Sequence, residues 1–364
     1  MRVLALVSDA YGGIGGIAKF NRDLIDSLGT LRGCTSIVAI PRSLHNSIGE
    51  LPQKLNYITS GIGGKIIYTY TVLKYIFKND MDLIVCGHIN LLPIAFLAHF
   101  LTKAPVLLIV HGIDVWSPTR NRLINYLIGK IDGLISVSNV TQTKLSSWAN
   151  IKNVRKFILP NSIDLERFYP GDKSQALLER YELDKRVVLV TLGRLSASEQ
   201  YKGVDEVLDV LPDLIKIIPN LSYLIIGDGS DKSRIEKKVG LMVLSKHVVM
   251  AGFISECEKV EHLRLADAFV MPGYGEGFGI VYLEAMACGI PVVASKLDGS
   301  REAVKDGLLG VTVDPHNMDE VRDGILQALK KQKGVPEGLE YFSFSNFERR
   351  VHKIITEFAS NGSQ

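Results

Sequence analysis

The sequence predicts an α/β protein made of two doubly wound, Rossmann-like domains that face each other across a cleft. Three observations support this fold class. The chain has 364 residues, which is enough for two domains of ordinary size. Short apolar, β-branched runs alternate with helical stretches in two successive blocks. Many of the runs are apolar throughout, as in parallel strands that helices cover on both faces.

The first block contains six predicted strands, each a short run rich in β-branched and other apolar residues. The strands are Val3–Val7, Ser36–Ile40, Leu83–Cys86, Val106–Val110, Gly133–Val137 and Lys156–Leu159. The helical stretches of this block include Lys19–Leu28 and Asn121–Lys130. This alternation predicts a parallel sheet with crossover helices.

The second block repeats the pattern. Its predicted strands are Val187–Leu192, Tyr223–Ile226, His247–Met250, Ala268–Met271, Pro291–Ala294 and Gly310–Val313. Its predicted helices are Gly203–Ile218, Ser230–Val239, Glu256–Leu265 and Met318–Lys331. A Pro–Asn turn and a charged linker at 160–164 separate the blocks, so we expect domains over 1–162 and 163–342. Residues 343–364 are expected to contain a helix, and whether it crosses back to the N-terminal domain stays open.

Composition excludes several classes of protein. The hydrophobic fraction is 46% and the mean hydropathy is +0.16, so a large core is expected. The four cysteines show no C-x-x-C spacing, which indicates reduced thiols in a cytosolic protein rather than a disulfide frame or zinc site. The N-terminus is predicted as a first strand instead of a signal peptide. The longest apolar run, Leu91–Leu101, is well short of the ~20 residues that span a bilayer. A cytoplasmic protein is therefore expected.

The charge is divided unevenly between the two blocks. Residues 1–160 hold 17 Lys and Arg against 8 Asp and Glu, a net +9, while the remainder holds 25 against 31, a net −6. A basic half favours an anionic partner on one side of the molecule. The basic residues are spread out and do not interleave with aromatics, so no nucleic acid is expected, and an anionic membrane surface fits at least as well. An uneven surface with no partner is the alternative.

The most informative stretch is 275–284, Gly-Glu-Gly-Phe-Gly-Ile-Val-Tyr-Leu-Glu. A glycine-rich loop leads into an apolar run, Ile280–Ala287, that predicts a buried helix with its start near Phe278. The free N–H groups and positive dipole end of that helix favour an anion above the loop. Glu276 in the loop and Glu284 two turns further along can each bind hydroxyls. This combination suits a nucleotide sugar, and an ordinary helix with two solvated glutamates is the alternative.

The loop after the first strand carries a weaker signal. Gly13-x-Gly15-x-x-Ala18 is a loose dinucleotide fingerprint. A dehydrogenase would need an acidic residue after the second strand, and residues 37–43 contain none, which argues against a nicotinamide cofactor. A glycine loop that lets a phosphate or sugar approach the backbone remains.

Other polar residues follow predicted strands, where ligands of parallel sheets bind. His111 ends the fourth strand, and a buried core histidine is the alternative. Arg194 follows the first strand of the second block and Lys202 precedes its helix, so the pair could clamp a diphosphate. Two plain surface cations are the alternative. Phe253 follows the third strand of that block and could line a base pocket.

Asp80-Met81-Asp82 has the D-x-D form that holds a metal in some enzymes that use nucleotide sugars. Here it precedes a predicted strand and so lies at the opposite end of the sheet from the other candidates. We interpret it as a solvated turn and expect no metal and no cofactor.

Taken together, these motifs resemble the large GT-B retaining glycosyltransferase family, glycosyltransferase group 1, which includes bacterial mannosyltransferases and glycogen and sucrose synthases. The matching elements run in order along nearly the whole chain. They are Gly15-Gly16-Ile17, His111-Gly112-Ile113-Asp114, Pro160-Asn161-Ser162-Ile163-Asp164, Gly193-Arg194-Leu195 with Lys202-Gly203, Gly227-Asp228-Gly229, Glu276-Gly277-Phe278-Gly279, and Glu284 through Val293.

The resemblance implies a role for each matching residue. The N-terminal domain would bind the acceptor and the C-terminal domain the nucleotide sugar. In the donor site, Arg194 and Lys202 would bind the diphosphate, Glu284 the ribose and Glu276 the transferred sugar. The phosphate would also contact the protein backbone, at Gly16, Gly277, Phe278, Gly279 and Ile280. His111 would contact the sugar near the reacting carbon.

The implied reaction retains the anomeric configuration: a departing phosphate oxygen takes the proton of the acceptor hydroxyl, and no protein nucleophile is needed. A UDP-sugar is favoured as donor because such donors are common, with GDP-mannose next. The basic, aromatic stretch at 61–78 suggests a lipid-linked acceptor at the inner face of a membrane, as in lipopolysaccharide and other surface-polysaccharide biosynthesis. Packing of this stretch on its own domain is the alternative. A nucleotide-sugar epimerase and a non-catalytic binding relative remain competing functions.

Overall fold

A computed structural model describes residues 1–360 of the chain. Asn361–Gln364, the last part of the predicted 343–364 segment, lie outside the described residues. The chain forms two compact units: unit 1 contains Met1–Ser162 and the helix Phe344–Ser360, and unit 2 contains Ile163–Ser343. Each unit is a parallel sheet with helices between its strands, so the prediction of two Rossmann-like domains is confirmed.

Unit 1 has a seven-stranded parallel sheet in the order β3-β2-β1-β4-β5-β6-β7. Its strands are β1 (Arg2–Val7), β2 (Ser36–Pro41), β3 (Leu55–Tyr57), β4 (Leu83–Cys86), β5 (Val106–Val110), β6 (Gly133–Ser136) and β7 (Arg155–Ile158). Its first helices are α1 (Gly15–Thr30), α2 (Lys65–Ile76), α3 (Leu92–Thr102), α4 (Arg122–Leu127) and α5 (Asn139–Ser146). The strand order reverses between β1 and β4, and a crevice for ligands is expected at such a reversal.

Unit 2 has a six-stranded parallel sheet in the order β10-β9-β8-β11-β12-β13. Its strands are β8 (Val187–Leu192), β9 (Leu221–Ile226), β10 (Val248–Gly252), β11 (Ala268–Val270), β12 (Val292–Ser295) and β13 (Val311–Val313). Its helices are α6 (Gln175–Arg180), α7 (Val204–Ile217), α8 (Lys232–Leu241), α9 (Lys259–Arg264), α10 (Ile280–Ala287), α11 (Ser300–Ala303) and α12 (Met318–Lys330). The order reverses between β8 and β11, as it does in a doubly wound nucleotide-binding sheet.

Apolar strand residues and polar caps explain why these elements form where they do. Every residue of β5 is buried, as a central parallel strand requires. Asn121, Ser138 and Asn317 cap the starts of α4, α5 and α12, because each side-chain oxygen accepts a backbone N–H of the first turn.

The last helix, α13 (Phe344–Ser360), packs on α1 within unit 1. Thr30 Oγ1 donates to Glu348 Oε1 over 2.6 Å, and His352 Nε2 donates to the Ser27 carbonyl over 2.8 Å. The rings of Phe20 and Phe347 meet edge to face, with centroids 5.5 Å apart. These contacts explain why the final helix completes unit 1 although it follows unit 2 in the sequence.

One short strand differs from the sequence prediction, and the helix after the glycine-rich loop agrees with it. The strand β3 was not expected, because its three residues are only partly buried and form no apolar run. The predicted helical run Ile280–Ala287 is the helix α10, and Gly279 before it has φ +82°, a left-handed conformation at the end of the loop. Among residues 1–360, no helix combines the length and the apolar character that crossing a membrane requires.

Candidate active site

The residues with the strongest predictions in unit 2 lie at the carboxyl ends of β8 and β11, on the two sides of the reversal in strand order. The loop after β8 runs from Gly193 to Gly203 and carries Arg194 and Lys202. The loop after β11 carries Glu276 and leads into α10, which carries Glu284. Adjacent parallel strands therefore bring together residues that are far apart in the sequence, at the edge where doubly wound sheets bind nucleotides.

Lys202 lies between two carboxylates. Its Nζ is 3.2 Å from Glu276 Oε1 and 3.4 Å from Glu199 Oε2. Burial lowers the pKa of Lys202, but the charges of Glu276 and Glu199 outweigh burial and raise the pKa above its ordinary value. The ammonium group therefore stays charged, and the two carboxylates fix its position next to the loop that precedes α10.

Arg194 is more open. Its guanidinium also pairs with Glu199, but the side chain is 70% exposed. Glu199 therefore joins the two predicted phosphate-binding cations in one network. Sequence reasoning missed Glu199, although its position between Arg194 and Lys202 in the same loop was a usable signal.

The backbone around Glu276 is fixed by a neighbouring loop. The Glu276 N–H donates to Asp298 Oδ2 over 2.8 Å, and the Gly299 N–H donates to the Glu276 carbonyl over 2.8 Å. A Cβ on Gly299 would stand 1.9 Å from the Gly277 carbonyl oxygen, so only glycine permits this approach. The Glu276 side chain consequently projects from a rigid loop.

Asp298 is the second residue that sequence reasoning missed. It is fully buried after β12, and its Oδ1 accepts from both the N–H and the hydroxyl of Ser300. Burial raises the pKa of Asp298 to about 6. An acidic residue just past a strand that neighbours the glycine-rich loop was the available signal.

Glu284 is buried inside unit 2, with 2% of its surface exposed. Its Oε1 is 3.1 Å from Lys259 Nζ, and within the described part of the chain its buried Oε2 has no hydrogen-bond partner. Lys259 in turn lies 3.1 Å from Glu256 Oε1, and the two glutamates together raise its pKa although burial opposes them. One oxygen of Glu284 is therefore held by a cation and the other lacks a donor.

The predicted backbone ligands lie at the start of α10. The Phe278 side chain is 2% exposed and packs edge to face on Phe342, which leaves the main chain of this residue for a ligand. Gly279 precedes the first helical residue, Ile280, whose N–H belongs to the first turn. The Tyr282 hydroxyl donates to the Met271 carbonyl over 2.5 Å and ties the helix to the loop after β11. Phe253, the predicted base contact, is 71% exposed just after β10.

In unit 1, His111 follows β5 and is fixed by the neighbouring strand. Its Nε2–H donates to the Gly87 carbonyl over 2.9 Å, and its ring meets Phe20 edge to face with centroids 5.3 Å apart. Burial lowers the pKa of His111 to about 4, so the imidazole is neutral near pH 7. Gly16 lies in the first turn of α1, after the loop that follows β1. Burial raises the pKa of nearby Asp114 to about 7.

The D-x-D segment is a loop before β4 with both of its carboxylates exposed, and the two carboxylates pair with Arg2. The Arg2 N–H donates to Asp82 Oδ2 over 2.7 Å, and its guanidinium pairs with Asp82 at 3.1 Å and with Asp80 at 3.3 Å. These contacts lie at the amino ends of β1 and β4, away from the candidate site residues of unit 1.

Comparison with known proteins identifies the family. The family model described as glycosyl transferases group 1 matches residues 175–341, and the model of glycosyltransferase family 4 matches residues 14–167. A phosphatidyl-myo-inositol mannosyltransferase of Mycobacterium tuberculosis is 30% identical over 308 residues, covering 80% of this chain and 78% of that protein. This chain belongs to the group 1 glycosyltransferases.

Further similarities agree with this assignment. A GDP-mannose-dependent alpha-(1-6)-phosphatidylinositol monomannoside mannosyltransferase of Mycolicibacterium smegmatis is 33% identical over 247 residues. That match covers 64% of each chain, which is less than two thirds of the relative's length. The crystal structure of Anabaena HepE in complex with UDP and glucose superposes with a TM-score of 0.75 at 18% identity, over 98% of this chain and 100% of that one. The glycosyltransferase therefore has the GT-B fold.

Proposed function

We propose that this glycosyltransferase moves a hexose from a nucleotide-diphosphate sugar to a hydroxyl of a glycan or lipid-linked acceptor, with retention of the anomeric configuration, in bacterial surface-polysaccharide biosynthesis. One observation carries the proposal. At one edge of unit 2, Lys202, Glu276 and Glu284 lie around the loop that begins α10. An anion site between two hydroxyl-binding carboxylates matches a diphosphate with ribose on one side and hexose on the other.

Each donor-site residue has a proposed role that fits its surroundings. Lys202 and Arg194 bind the diphosphate, and Arg194 exchanges its contact with Glu199 for phosphate oxygens. Glu284 accepts a ribose hydroxyl through Oε2, the oxygen that lacks a donor among the described residues. Glu276 accepts from the transferred sugar, and its fixed backbone supports a defined sugar position.

The proposed chemistry relies on leaving-group stabilisation. The bond from the anomeric carbon to the diphosphate oxygen breaks while the acceptor hydroxyl attacks from the same face. The departing phosphate oxygen takes the proton of that hydroxyl. The positive charges of Lys202 and Arg194 stabilise the negative charge that develops on the diphosphate, a term worth roughly 3–4 kcal/mol per preorganised donor. His111, neutral at pH 7, acts as a contact for the transferred sugar.

The nucleotide of the donor has two candidates. A UDP-sugar is favoured by how common such donors are. GDP-mannose is favoured by a specific observation, since the M. smegmatis relative is described as GDP-mannose-dependent. Neither donor needs a metal in this proposal, because the two cations supply the positive charge at the diphosphate.

A lipid-linked acceptor is supported by the outer face of unit 1. The inner face of α2 packs in the core, whereas Ile66 is 86% exposed, Tyr70 64% and Phe77, just past the helix, 72%. Lys65, Lys74 and Lys78 accompany them. An exposed aromatic and basic helix face fits peripheral binding at the inner face of an anionic membrane.

The donor site is tested by thermal unfolding with UDP, GDP, ADP and their sugars, each with and without EDTA. A ligand that binds only the folded protein raises the melting temperature. We expect one nucleoside diphosphate to raise it regardless of EDTA, and Glu284→Ala to abolish the shift. The matched control is Glu236→Ala, an exposed residue of α8, which should respond like wild type. If no nucleotide shifts the wild-type melting temperature, a binding relative becomes the better interpretation.

Turnover separates the remaining functions. Incubation of the sugar nucleotide that binds with a candidate acceptor should release nucleoside diphosphate and give a glycoside with the donor's anomeric configuration, read by NMR. Isomerised donor in the absence of acceptor would instead identify an epimerase.

Membrane binding is tested separately with vesicles of phosphatidylcholine and phosphatidylglycerol. The variant in which Lys65, Lys74 and Lys78 are replaced by glutamate should remain in the supernatant while wild type sediments. Equal sedimentation of both proteins would remove the membrane from the proposal.

A further inference from the structure

Arg42 is a cation in unit 1 that no proposed role uses. Arg42 follows β2 directly, and the register of β1 with β2 places Val7 beside Pro41. Arg42 therefore lies next to the start of the glycine loop of unit 1, the loop between β1 and α1. In nucleotide-binding α/β domains, the end of the second strand is where the group bound beside the glycine loop is recognised, by an acid for a hydroxyl or by arginine for a phosphate. This chain has arginine there.

The guanidinium of Arg42 is not neutralised by the protein. Within the described chain it forms no ion pair, and its Nη1 is buried without a hydrogen-bond partner. The Arg42 side chain lies over the ring of Tyr68, whose centroid is 5.2 Å from Cζ. A buried, unpaired donor on a charged group is costly, and a ligand that supplies the missing acceptor would remove that cost.

The surroundings hold Arg42 in place. Its N–H donates to the carbonyls of Val7 and Ser8, each over 3.0 Å, and the hydroxyl of Ser43 donates to the Ser8 carbonyl over 3.2 Å. The next residues of the loop, His45 and Asn46, donate their N–H groups to the Gly12 carbonyl. The arginine therefore projects from a loop that is hydrogen-bonded at several points to the glycine loop of unit 1.

Tyr68 connects this cation to the outer face of α2. The tyrosine is fully buried, and its hydroxyl donates to the Ile40 carbonyl over 2.8 Å. Ile66 and Tyr70, two residues to either side on the same helix, are exposed. The helix α2, whose Tyr68 ring contacts Arg42, is thus also the helix proposed to bind the membrane.

We propose that Arg42 binds a phosphate group of the acceptor, so that the acceptor class is a phosphorylated one. The planar guanidinium offers paired N–H donors to phosphate oxygens, and the phosphate supplies the partner that Nη1 lacks. The phosphate belongs either to a lipid headgroup or to a soluble phosphorylated acceptor. The assignment of the phosphate to the acceptor rests on the proposed function. The binding of an anion by Arg42 does not.

The test titrates inorganic phosphate into wild type, Arg42→Gln and Arg32→Gln at constant ionic strength and follows the melting temperature. Arg32 is the matched control because it is an exposed arginine of the same unit, beyond the far end of α1. The nucleoside diphosphate found to bind is present at saturation to occupy the cations of unit 2. We expect Arg42→Gln to need roughly ten- to hundredfold more phosphate than wild type or Arg32→Gln for the same shift. Equal responses of all three proteins, or no response of wild type, would overturn the proposal.

The melting temperature without phosphate distinguishes a binding role of Arg42 from a structural one. Without phosphate, Arg42→Gln should melt at the same temperature as wild type or higher, because the substitution removes an unpaired charge. A melting temperature several degrees lower would show that the arginine supports the fold and would also overturn the proposal.

Vesicles distinguish the two sources of phosphate. If Arg42→Gln loses the phosphate response and also sediments less with phosphatidylglycerol vesicles, the group is a lipid headgroup. If it loses only the phosphate response, the group belongs to a soluble acceptor. Absence of any nucleotide shift defeats the proposed function instead, and the three phosphate titrations remain comparable without nucleotide.

Discussion

The two units differ in how charged groups are paired near the carboxyl ends of their strands. In unit 2 the buried cations are compensated: Lys202 lies between Glu199 and Glu276, and Lys259 contacts Glu284. In unit 1, two groups at the corresponding edge, His111 and Arg42, lack such compensation. His111 is uncharged near pH 7, and the Arg42 guanidinium has no carboxylate partner among the described residues.

This difference indicates two ways of preparing a site. Compensated charges keep their positions without a ligand, so a diphosphate meets donors that are already oriented, and little reorganisation is needed when charge develops. An uncompensated cation is instead stabilised by its ligand. We therefore expect substitutions in unit 2 to affect turnover most, and substitutions in unit 1 to affect ligand response and pH dependence.

The largest effect is expected for Lys202→Ala. It removes the cation between Glu199 and Glu276 and leaves two neighbouring carboxylates that repel a diphosphate. We expect kcat to fall by roughly 10²–10³-fold, as for loss of a preorganised donor to a developing charge. Initial rates at saturating donor measure this. Lys246→Ala, an exposed lysine of the same unit, should behave as wild type. A raised KM with unchanged kcat would show that Lys202 contributes only ground-state binding.

The next largest effect is expected for Glu284→Gln. The substitution keeps the shape of the side chain but removes the charge that both Lys259 and a ribose hydroxyl use. Hydrogen bonds to charged groups contribute about 1.5–3 kcal/mol, so nucleoside diphosphate should bind roughly ten- to hundredfold more weakly. Calorimetric titration measures the affinity. Unchanged affinity would contradict the ribose role and leave Glu284 as a structural partner of Lys259.

Gly299→Ala tests the rigidity of the loop that carries Glu276. The added Cβ would clash with the Gly277 carbonyl oxygen, so we expect a loss of about 1–3 kcal/mol in the free energy of unfolding. Gly240→Ala in α8 is the matched control, because nothing lies within 4 Å of its Cβ and a helical alanine is favoured. Urea unfolding should be followed by circular dichroism, since both tryptophans, Trp116 and Trp148, lie in unit 1. Equal stability of the two variants would mean that the loop can move.

The sequence predicted the repeating parts of the fold well because they depend on local patterns. Continuous apolar runs located the strands of both sheets to within a few residues. The strand β3 was missed because an edge strand of three half-exposed residues has no such run. The helix α10 was predicted over its full length because its apolar run, Ile280–Ala287, is continuous.

The candidate site was predictable only where its residues lie in one motif. Glu276 and Glu284 share a stretch with the helix that positions them. The residues that fix them, Asp298 and Lys259, come from other loops and helices. Their pairing depends on how neighbouring strands end in space, and no local pattern in the sequence encodes that.

The smallest effect on turnover near pH 7, and the one that most sharpens the contrast between the units, is that of the titration of His111. Burial lowers its pKa to about 4, against an ordinary value of 6.5 in the unfolded chain. Between these values the unfolded state binds more protons than the folded state, so the contribution of His111 to stability rises with pH through this window and is level above it. The stability of wild type relative to His111→Gln should therefore increase from pH 4 to 6.5.

Tryptophan fluorescence during urea unfolding measures this difference, because both tryptophans report on unit 1. His88 and Asp114 titrate in both proteins, so the difference between the proteins isolates His111. His45→Gln, which changes an exposed histidine of the same unit, should follow wild type across the window. The rate of transfer should likewise show no ionisation of His111 near pH 6.5. An inflection there that His111→Gln abolishes would mean that the imidazole is accessible and charged, and that His111 is not a neutral contact for the transferred sugar.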